Sequence, residues 1–529
     1  MAKEASVAMI QRDRFNRRDL LKSATVGVAG AAVGSPRSVD AAEPPPRRWD
    51  REAEVVIAGY GFAGAAAAIT AHDRGASVLV LEKAPQQFRG GNSRVSANGV
   101  FWPNDVEKAK IYFRAFSGAY MDDISDEMLN VWADELYANR AWLEGLGWKP
   151  VRYGGAEYPD LPGADCVGKF VHGTGPIGDA RLWNQVIEAA VAARKIEILY
   201  ETAAARLVRH GDEIIGIVAE QNGTRIHVKA KRAVILATGG FERNLKMIRN
   251  FLTDLPYAMP MGTPYNTGDG IRMAADVGAD LWHMANVSGP MWAFAAPEYP
   301  VASIVRMPKP NFIWVAKDGR RFVAEADPIA MTSHGKLSLN GRWVQMPCPV
   351  PVYAVFDETF RSGGGIGGHQ SGTTMGWDYA YNVYDWSPDN TKEIEKGWIK
   401  KSDSIRALAA AINVPPDALE ATVQRFNGFA QARKDDDFGR TSALLGPIQR
   451  APFYAMELTP AFLNTQGGPR RNEDAQIVDT EGHPIPRLYS SGELGAIYGF
   501  QYQGGGNIAE CLAFGRIAGT NAAKEPSWS

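Results

Sequence analysis

One stretch, residues 53–84, limits what this chain can fold into more than any other. An apolar strand is predicted at 55–58, followed by glycines at 59, 61 and 64, an Ala-rich helix, and a second apolar strand that ends at Glu82. This order is that of a βαβ dinucleotide-binding unit. Its glycines allow a tight turn, close approach of a pyrophosphate, and close packing of helix on strand, while the helix N-terminus offers N–H groups to phosphates. Glu82 is placed to accept hydrogen bonds from an adenosine ribose.

Length and composition narrow the class of protein. A chain of 529 residues is expected to form two or three domains. The formal net charge of −2 disfavours a nucleic-acid partner, which normally selects a basic surface. Cys166, Cys348 and Cys511 are far apart, without metal-ligand spacing or a haem-attachment motif. No metal site is predicted, and any electron carrier must be the bound dinucleotide or an external partner.

The N-terminus differs from the rest of the chain. Arg17 and Arg18 precede a mildly apolar run that reaches Gly34, and a small-residue stretch ends at Ala42. This pattern resembles a twin-arginine export signal, and the apolar run is too short for a stable membrane span. We expect residues 1–42 to be the signal peptide and the enzyme to be periplasmic or exported by that route. The alternative is a disordered basic tail.

The next segments extend the first domain. Gly-rich turns at 90–93 and 97–99 would let the backbone pass close to a flat ring. Apolar residues three and four apart predict helices within 106–147 and 180–193, and short alternating runs predict hairpin strands at 196–230.

The second half contains an insertion. A buried strand at 232–237 ends in a glycine turn, and Asp269 opens a helix where an acid is favourable. Aromatic residues, prolines and irregular glycines dominate 281–450, which we interpret as an inserted domain with a helical section at 402–432. The chain then returns to the first domain. A glycine run at 504–506 opens the last helix and would direct N–H groups at the electron-rich edge of a flavin.

These motifs together resemble the fumarate reductase and succinate dehydrogenase flavoprotein superfamily, which also contains the 3-ketosteroid dehydrogenases. The resemblance covers about residues 52–523. Besides the Gly59 triplet and Glu82, it depends on the motifs at 90–93, 237–240, 267–270, 491–493, 505–507 and 514–516. It implies an α/β fold, in which a bipartite Rossmann-like FAD-binding domain (50–282 and 451–523) contains an inserted α+β capping domain (283–450).

The resemblance also implies the cofactor and the residues that bind it. Arg94 stands where covalent members of the superfamily have a flavin-linked histidine, so the FAD is expected to be noncovalent. The expected FAD-binding residues are Gly59, Gly61, Phe62, Ala63, Gly64, Glu82, Lys83, Gly91, Asn92, Ser93, Asn98, Gly99, Ala237, Thr238, Gly239, Asp269, Gly492, Glu493, Gly506, Asn507 and Ile508.

Departures from the superfamily pattern concern the substrate. Asn464 replaces the histidine of the His-Thr-x-Gly-Gly motif, and Gln503 replaces the substrate-binding arginine. The cap segment 324–329, which would supply the acid-donating arginine, contains none. In a partly buried site, the two negative charges of a dicarboxylate would then lack cationic partners, at a cost in binding free energy on the order of several kcal/mol. Fumarate and succinate are therefore not expected as substrates.

Four residues are candidates for catalysis. Tyrosines serve as proton donors or acceptors in the ketosteroid dehydrogenase branch, which points to Tyr498 and Tyr502, with Tyr502 favoured because it lies nearer the flavin-facing turn. The alternative is that both are packing aromatics with a satisfied hydroxyl. Asn464 and Gln503 are candidate hydrogen-bond donors to a substrate carbonyl.

Three histidines also lie in Gly-rich or polar loops, where each is either an acid/base group or a structural residue. They are His172, His334 and His369.

The expected reaction is oxidation or reduction of a C–C bond next to a carbonyl, with hydride transfer at flavin N5, on a hydrophobic ketosteroid-like or aryl-enone-like molecule. In the oxidative direction a tyrosinate or another base removes the α proton, which requires a lowered tyrosine pKa. The sequence leaves the direction open. An external electron carrier such as a cytochrome or quinone is expected.

Two alternatives remain. One is a reductase of an unsaturated acid, related to fumarate and urocanate reductases, with a different carboxylate clamp drawn from Arg306, Lys309, Arg470 and Arg471. The other is a flavin electron-transfer subunit whose partner is another protein.

Overall fold

The computed structural model describes residues 42–175, 177–296, 298–325, 332–339, 342–367 and 375–528. Apart from Ala42, the predicted signal peptide lies outside the described residues, as do His369 and most of the cap segment 324–329.

The strands are β1 (Arg51–Ala58), β2 (Val78–Leu81), β3 (Val100–Pro103), β4 (Pro150–Gly154), β5 (Val167–His172), β6 (Glu197–Leu199), β7 (Thr202–His210), β8 (Glu213–Gln221), β9 (Thr224–Leu236), β10 (Met259–Pro260), β11 (Leu281–Trp282), β12 (Val287–Ser288), β13 (Met291–Phe294), β14 (Ser303–Ile304), β15 (Phe312–Ala316), β16 (Lys336–Leu339), β17 (Arg342–Gln345), β18 (Val352–Asp357), β19 (Ile399–Ser402), β20 (Phe453–Phe462), β21 (Asn464–Thr465), β22 (Gly468–Pro469), β23 (Gln476–Val478) and β24 (Pro484–Ser490).

The α-helices are α1 (Phe62–Asp73), α2 (Gly91–Val95), α3 (Val106–Ser117), α4 (Asp126–Gly145), α5 (Glu188–Ala193), α6 (Leu245–Phe251), α7 (Asp269–Ala275), α8 (Glu358–Arg361), α9 (Trp377–Tyr381), α10 (Thr391–Glu395), α11 (Ile405–Ala411), α12 (Pro416–Ala432) and α13 (Gly506–Lys524).

The first domain is built on a sheet with the strand order β23-β24-β9-β1-β2-β6, to which the antiparallel hairpin β7-β8 is joined through β9. Strand β1 lies parallel to both neighbours, with Ile57 opposite Val80 on one side and Ile235 on the other. Val55 and Ile57 belong to the apolar cluster formed with α1 and α13, whereas Val56 faces the layer that contains α6 and α7. The predicted α/β fold is confirmed.

Helix α13 returns the end of the chain to the beginning of the domain. A Cβ at Gly515 or Gly519 would come within 2.6 or 2.4 Å of the backbone oxygens of Ala63 and Ala67 in α1. Because these glycines have no side chain, the two helices approach closely. The two helices run parallel at this approach, with the middle of α13 beside the start of α1.

The capping domain contains a seven-stranded sheet with the order β14-β13-β20-β18-β15, and β10 and β19 also pair with β20. Strand β20 pairs with β18 from Val352 opposite Leu458 to Asp357 opposite Phe453. Strand β20, which begins just after the boundary predicted at residue 450, is the central strand of this second sheet. Composition indicated the boundary, but strand pairing determines the sheet to which a strand belongs.

Local predictions agree with these elements. The helical stretch 106–147 forms α3 and α4, separated at Gly118, where φ is +54°. The segment 196–230 contains the hairpin strands, and the helical section predicted at 402–432 contains α11 and α12, the second of which begins at Pro416. Two short ladders, β11-β22 and β12-β21, connect the cap to the returning chain.

Candidate active site and cofactor cleft

A cleft lies at the carboxyl ends of β1, β2 and β9 and, with its open mouth, holds about 950 Å³ free of protein atoms. The expected FAD-binding residues that line it are Gly59, Gly61, Phe62, Ala63, Glu82, Lys83, Gly91, Asn92, Ser93, Ala237, Thr238, Gly239, Asp269, Glu493, Asn507 and Ile508. Those that do not line it are Gly64, Asn98, Gly99, Gly492 and Gly506. The motifs thus converge on one cleft.

The glycine turn fits its predicted form. Gly59 has a φ of +102°, and a Cβ there would lie 2.3 Å from the backbone oxygen of Ala237. A Cβ at Gly64 would lie 2.0 Å from the oxygen of Gly59, so any side chain would separate α1 from the turn. The N–H of Phe62 donates to Ser93 Oγ at 2.8 Å. The turn and the first helical turn therefore form a tight cradle.

Glu82 lies at the end of β2 and faces the cleft. Its two carboxylate oxygens accept the N–H groups of Ala84 at 2.7 Å and Tyr60 at 2.9 Å. Burial raises the pKa of Glu82, although both hydrogen bonds oppose the shift. The carboxyl group is fixed where a ribose hydroxyl can reach it. Lys83 forms an ion pair with Asp269 at 2.8 Å, which ties β2 to the start of α7.

Unsatisfied polar atoms test whether the cleft fits a polar cofactor. Thr238 Oγ1, Ser491 Oγ and Asn507 Oδ1 are buried, and within the described ranges none has a hydrogen-bond partner. All three residues line the cleft. Buried polar atoms in native proteins are normally hydrogen-bonded, so a ligand with several hydroxyl or phosphate oxygens suits this surface. FAD fits both the cradle and these atoms.

An unexpected carboxyl pair adjoins the cleft. Asn92 Nδ2 donates to Glu242 Oε1 at 3.1 Å and to Glu493 Oε2 at 3.3 Å. Burial raises the pKa of Glu242 to about 7, and burial together with Glu242 raises the pKa of Glu493 well above its ordinary value. Two adjacent carboxyl groups cannot both ionise without a large cost in free energy, because their negative charges repel each other. The sequence interpretation included Glu493 but missed Glu242, although Glu242 lies only two residues after the motif at 237–240.

Two of the expected FAD-binding residues outside the cleft shape its walls. Asn98 Nδ2 donates to the backbone oxygens of Ser93 and Ser96 at 3.0 and 3.1 Å, and its Oδ1 accepts the Trp183 N–H at 3.1 Å. Its amide therefore fixes the loop after α2. A Cβ at Gly99 would lie 2.0 Å from the hydroxyl of Tyr153, so this glycine allows close packing.

Of the four catalytic candidates, Tyr502 has the most distinctive surroundings. Its hydroxyl lies 2.7 Å from Ser288 Oγ, and its ring stacks on His334 with centroids 4.0 Å apart. Asn464 pairs with Ser288 in the β12-β21 ladder, and its Oδ1 accepts from Asn507 Nδ2 at 3.3 Å. Neither Tyr502 nor Asn464 lines the cleft, but Asn507 does, so this group lies one residue away from it.

The environment of Tyr502 differs from the expectation that neighbours lower its pKa. Burial raises the pKa of the hydroxyl well above its ordinary value, and the hydrogen bond with Ser288 reduces this shift only in part. A phenol in such a place stays protonated at neutral pH. Tyr502 is thus suited to donate a hydrogen bond or a proton, and not to exist as a free tyrosinate.

The other two candidates do not line the cleft. Tyr498 is fully buried and packs against Phe113 and Phe116. Gln503 Oε1 accepts from the Tyr112 hydroxyl at 2.7 Å, and its Nε2 donates to the oxygen of Gly504 at 3.1 Å. Both side chains thus pack within the first domain in this structure.

Residues that the sequence interpretation left undecided become clearer. His334 contacts Ser288 and Glu157, whereas His172 Nδ1 accepts the backbone N–H of Lys149 at 3.1 Å.

Lys336 is a buried residue that the sequence analysis did not single out. Its ammonium group is buried, donates to the oxygen of Val287 and to Asn286 Oδ1, and has its pKa lowered to about 7 by burial.

Two of the arginines suggested as a carboxylate clamp, Arg470 and Arg471, face other groups. Arg471 is fully buried, forms an ion pair with Glu510, and donates to the oxygens of Gly492 and Leu494 at 3.4 and 3.1 Å. Arg470 forms an ion pair with Asp280 at 3.4 Å. Arg471 therefore holds the loop that carries Glu493 instead of facing a substrate.

Several residues that line the cleft were not among those expected from the sequence, because most of them lie outside the glycine motifs. They include Tyr60, Ala84, Ser96, Thr202, Ala204, Thr263, Tyr265, Asn266 and Cys511. Within the described part of the chain, no cluster of His, Cys, Asp and Glu is arranged to hold a metal ion. The same residues contain no helix with the length and apolar character of a membrane crossing.

Comparisons with known proteins agree with this site. The model of a family described as "FAD binding domain" matches residues 54–508. NADH:fumarate oxidoreductase of Klebsiella pneumoniae (strain 342) is 27% identical over 512 residues, which cover 94% of this chain but only 50% of that protein. The 3-oxosteroid 1-dehydrogenase of Mycolicibacterium smegmatis is 26% identical over 584 residues, covering 89% of this chain and 97% of that protein.

A solved structure shows the same fold. The 3-ketosteroid Δ1-dehydrogenase of Sterolibacterium denitrificans, in complex with 1,4-androstadiene-3,17-dione, superposes with a TM-score of 0.72 at 22% identity, over 89% of this chain and 99% of that one. The relatives are dehydrogenases and reductases, in agreement with the predicted class of FAD-dependent oxidoreductase. The chain belongs to the FAD binding domain family, and FAD is its cofactor.

Proposed function

We propose that this enzyme oxidises or reduces a C–C bond next to the carbonyl of a hydrophobic substrate, such as a ketosteroid or an aryl enone. The observation that supports this most is the buried, protonated Tyr502 hydroxyl beside Ser288. A neutral donor suits a carbonyl oxygen, on which charge develops during the reaction. The similarity to 3-oxosteroid 1-dehydrogenase also favours this substrate class.

Different residues of the chain would bind the cofactor and act on the substrate. Bound FAD would supply the hydride acceptor or donor. The Gly59 turn and the start of α1 would hold its pyrophosphate, and Glu82 its ribose. Tyr502 donates a hydrogen bond to the substrate carbonyl and, in the reductive direction, a proton. The cap positions Ser288 against Tyr502 and excludes water from the reacting bond.

The test is anaerobic flavin spectroscopy on the FAD-loaded protein. Saturated ketosteroids are mixed with the oxidised enzyme, and enones, fumarate or aryl acrylates with the dithionite-reduced enzyme. Bleaching by a ketone, or reoxidation by an enone but not by fumarate, is expected. Tyr502→Phe should lower either rate by about 100-fold or more, whereas Tyr137→Phe, at an exposed tyrosine, should not. Full turnover by Tyr502→Phe with normal FAD content would refute the assignment.

A reductase of an unsaturated acid is the second candidate, favoured by the similarity to NADH:fumarate oxidoreductase. The commitment of Arg471 to Glu510 counts against the clamp suggested from the sequence. Reoxidation by fumarate or aryl acrylates alone, with inhibition by small carboxylates, would favour this candidate.

We further propose that the FAD is noncovalent, that an external cytochrome or quinone exchanges electrons with it, and that the twin-arginine signal exports the folded enzyme. Arg94 and the Arg17-Arg18 pair support the first and last points. Denaturation should release free FAD. Replacing Arg17 and Arg18 by lysines should keep the protein in the cytoplasm, and unchanged export would contradict the signal.

A further inference from the structure

A chain of hydrogen bonds leads from the Tyr502 hydroxyl to the protein surface. The Tyr502 hydroxyl lies 2.7 Å from Ser288 Oγ, which lies 3.2 Å from His334 Nδ1. His334 Nε2 lies 2.9 Å from Glu157 Oε2. We propose that these groups form a proton relay that supplies the Tyr502 hydroxyl from solvent, and the proposal builds on the proton-donor role of Tyr502 in the proposed function.

The exposure of these residues changes along the relay in the direction that proton exchange requires. Tyr502 and Ser288 are 5% and 0% exposed. The side chains of His334 and Glu157 are 13% and 26% exposed. A proton lost from Tyr502 has no direct access to water, whereas one bound at the far end exchanges with solvent.

The carboxylate of Glu157, at the solvent end of the relay, determines the direction in which the hydrogen bonds run. An ionised carboxylate only accepts hydrogen bonds, so His334 Nε2 must carry a hydrogen. If the imidazole is neutral, Nδ1 accepts from Ser288, and Ser288 accepts from Tyr502. If the imidazole is protonated, Nδ1 donates to Ser288, and Ser288 donates to the phenol oxygen. One proton on His334 thus reverses both bonds and frees the Tyr502 O–H for a substrate.

Charged groups around His334 keep its partner Glu157 ionised. Burial would raise the pKa of Glu157, but the charge and hydrogen bond of His334, together with Lys169 and the Gly504 N–H, lower it to about 2. Lys169 Nζ lies 3.1 Å from Glu157 Oε1. Lys336, whose ammonium group lies 3.5 Å from the backbone oxygen of His334, also faces this region, as does the phenol of Tyr153. Glu157 is therefore an ionised partner across the working pH range.

The proton transfer balances without any change in electrons. In reduction, Tyr502 gives its proton to the substrate, takes the proton of Ser288, and Ser288 takes the Nδ1 proton of His334. The imidazolium becomes neutral and keeps its Nε2 hydrogen on Glu157. In oxidation the same steps run backwards, so the high-pKa phenol never has to exist as a tyrosinate. His334 and Glu157 are positioning residues that act through Tyr502.

The first test does not depend on turnover. Histidine-selective ¹⁵N NMR of the FAD-loaded enzyme, with the His334 signal identified by its loss in His334→Gln, reports the tautomer and the titration. We expect a neutral Nε2–H tautomer. In Glu157→Gln, the ¹⁵N shifts of His334 should change, because the carboxylate that accepts from Nε2 is replaced by a neutral amide. His483→Gln, at a side chain that is 72% exposed, is the control. An Nδ1–H tautomer, or no shift in Glu157→Gln, would overturn the relay.

The second test follows reoxidation of the reduced enzyme by an enone in single turnovers across pH. In the wild-type protein the rate should fall as pH rises, because the relay then lacks the proton that His334 passes to Ser288. His334→Gln and Ser288→Ala should be slower by about 10-fold or more and should lack that limb, with unchanged FAD content. Wild-type rates and an unchanged limb in both variants would refute the relay. If no enone reacts, the proposed function fails, while the NMR test still decides the relay.

Discussion

Replacing Gly64 by alanine should weaken FAD binding while costing only a modest part of the folding stability. The new Cβ would lie 2.0 Å from the backbone oxygen of Gly59, whereas ordinary contact begins near 3.4 Å, so turn and helix must separate by about 1.4 Å. Overpacking of this kind costs about 1–3 kcal/mol, of which the better helix propensity of alanine recovers about 1 kcal/mol. The free energy of unfolding of the apoprotein should therefore fall by about 2 kcal/mol or less.

Cofactor binding is affected because α1 moves relative to the phosphates. Loss of a hydrogen bond to a charged group costs about 1.5–3 kcal/mol, which corresponds to about a 10- to 100-fold rise in Kd. Quenching of FAD fluorescence on titration with apoprotein measures this Kd. Gly145→Ala is the matched control, since it lies in α4 with nothing within 4 Å of the added methyl group. Wild-type FAD affinity in Gly64→Ala would refute the cradle.

Two further variants test the buried charges. Arg471→Met removes the partner of the buried Glu510 and should lower the free energy of unfolding by about 3–5 kcal/mol, as measured by chemical denaturation. The double variant with Glu510→Met should recover most of this loss. A loss below about 1 kcal/mol in Arg471→Met would contradict the ion pair. Lys336 has its pKa lowered from 10.5 to about 7 by burial, so between these values the unfolded chain binds more protons and stability rises with pH. Lys336→Met should flatten the rise of Tm over this range, and parallel curves for variant and wild type would show that the ammonium group is not desolvated.

Glycine motifs made the cofactor site predictable, because their constraints are local. The turn at Gly59 and the acid at Glu82 need only the order of strand, turn and helix. Glu242 and Lys336 could not be found in this way, since their importance comes from partners far away in sequence. Asn98 shows the opposite case. Its position in a motif predicted a contact with the cofactor, whereas its side-chain amide forms hydrogen bonds with the surrounding loop.

The limit of a composition argument is clearest at the edge of the cap. A change in residue usage suggested a boundary at 450, yet β20 lies at the centre of the cap sheet. Likewise, the sequence favoured Tyr502 over Tyr498 only because it lies nearer the flavin-facing turn. The fold separates them further, since it packs Tyr498 against phenylalanines and pairs Tyr502 with Ser288. Pairing across domains is a property of the tertiary structure and leaves no short-range pattern.

The relay takes Tyr502 and Glu157 from the first domain and Ser288 and His334 from the cap. Any hinge motion that lifts the cap would therefore disconnect the acid from its proton supply at two junctions. An open enzyme with reduced flavin would lack a charged donor, and the complete acid would form only on closure over a substrate. Domain closure would then prevent the transfer of hydride and proton to solvent. It would also prevent their transfer to a molecule too small to keep the cap closed.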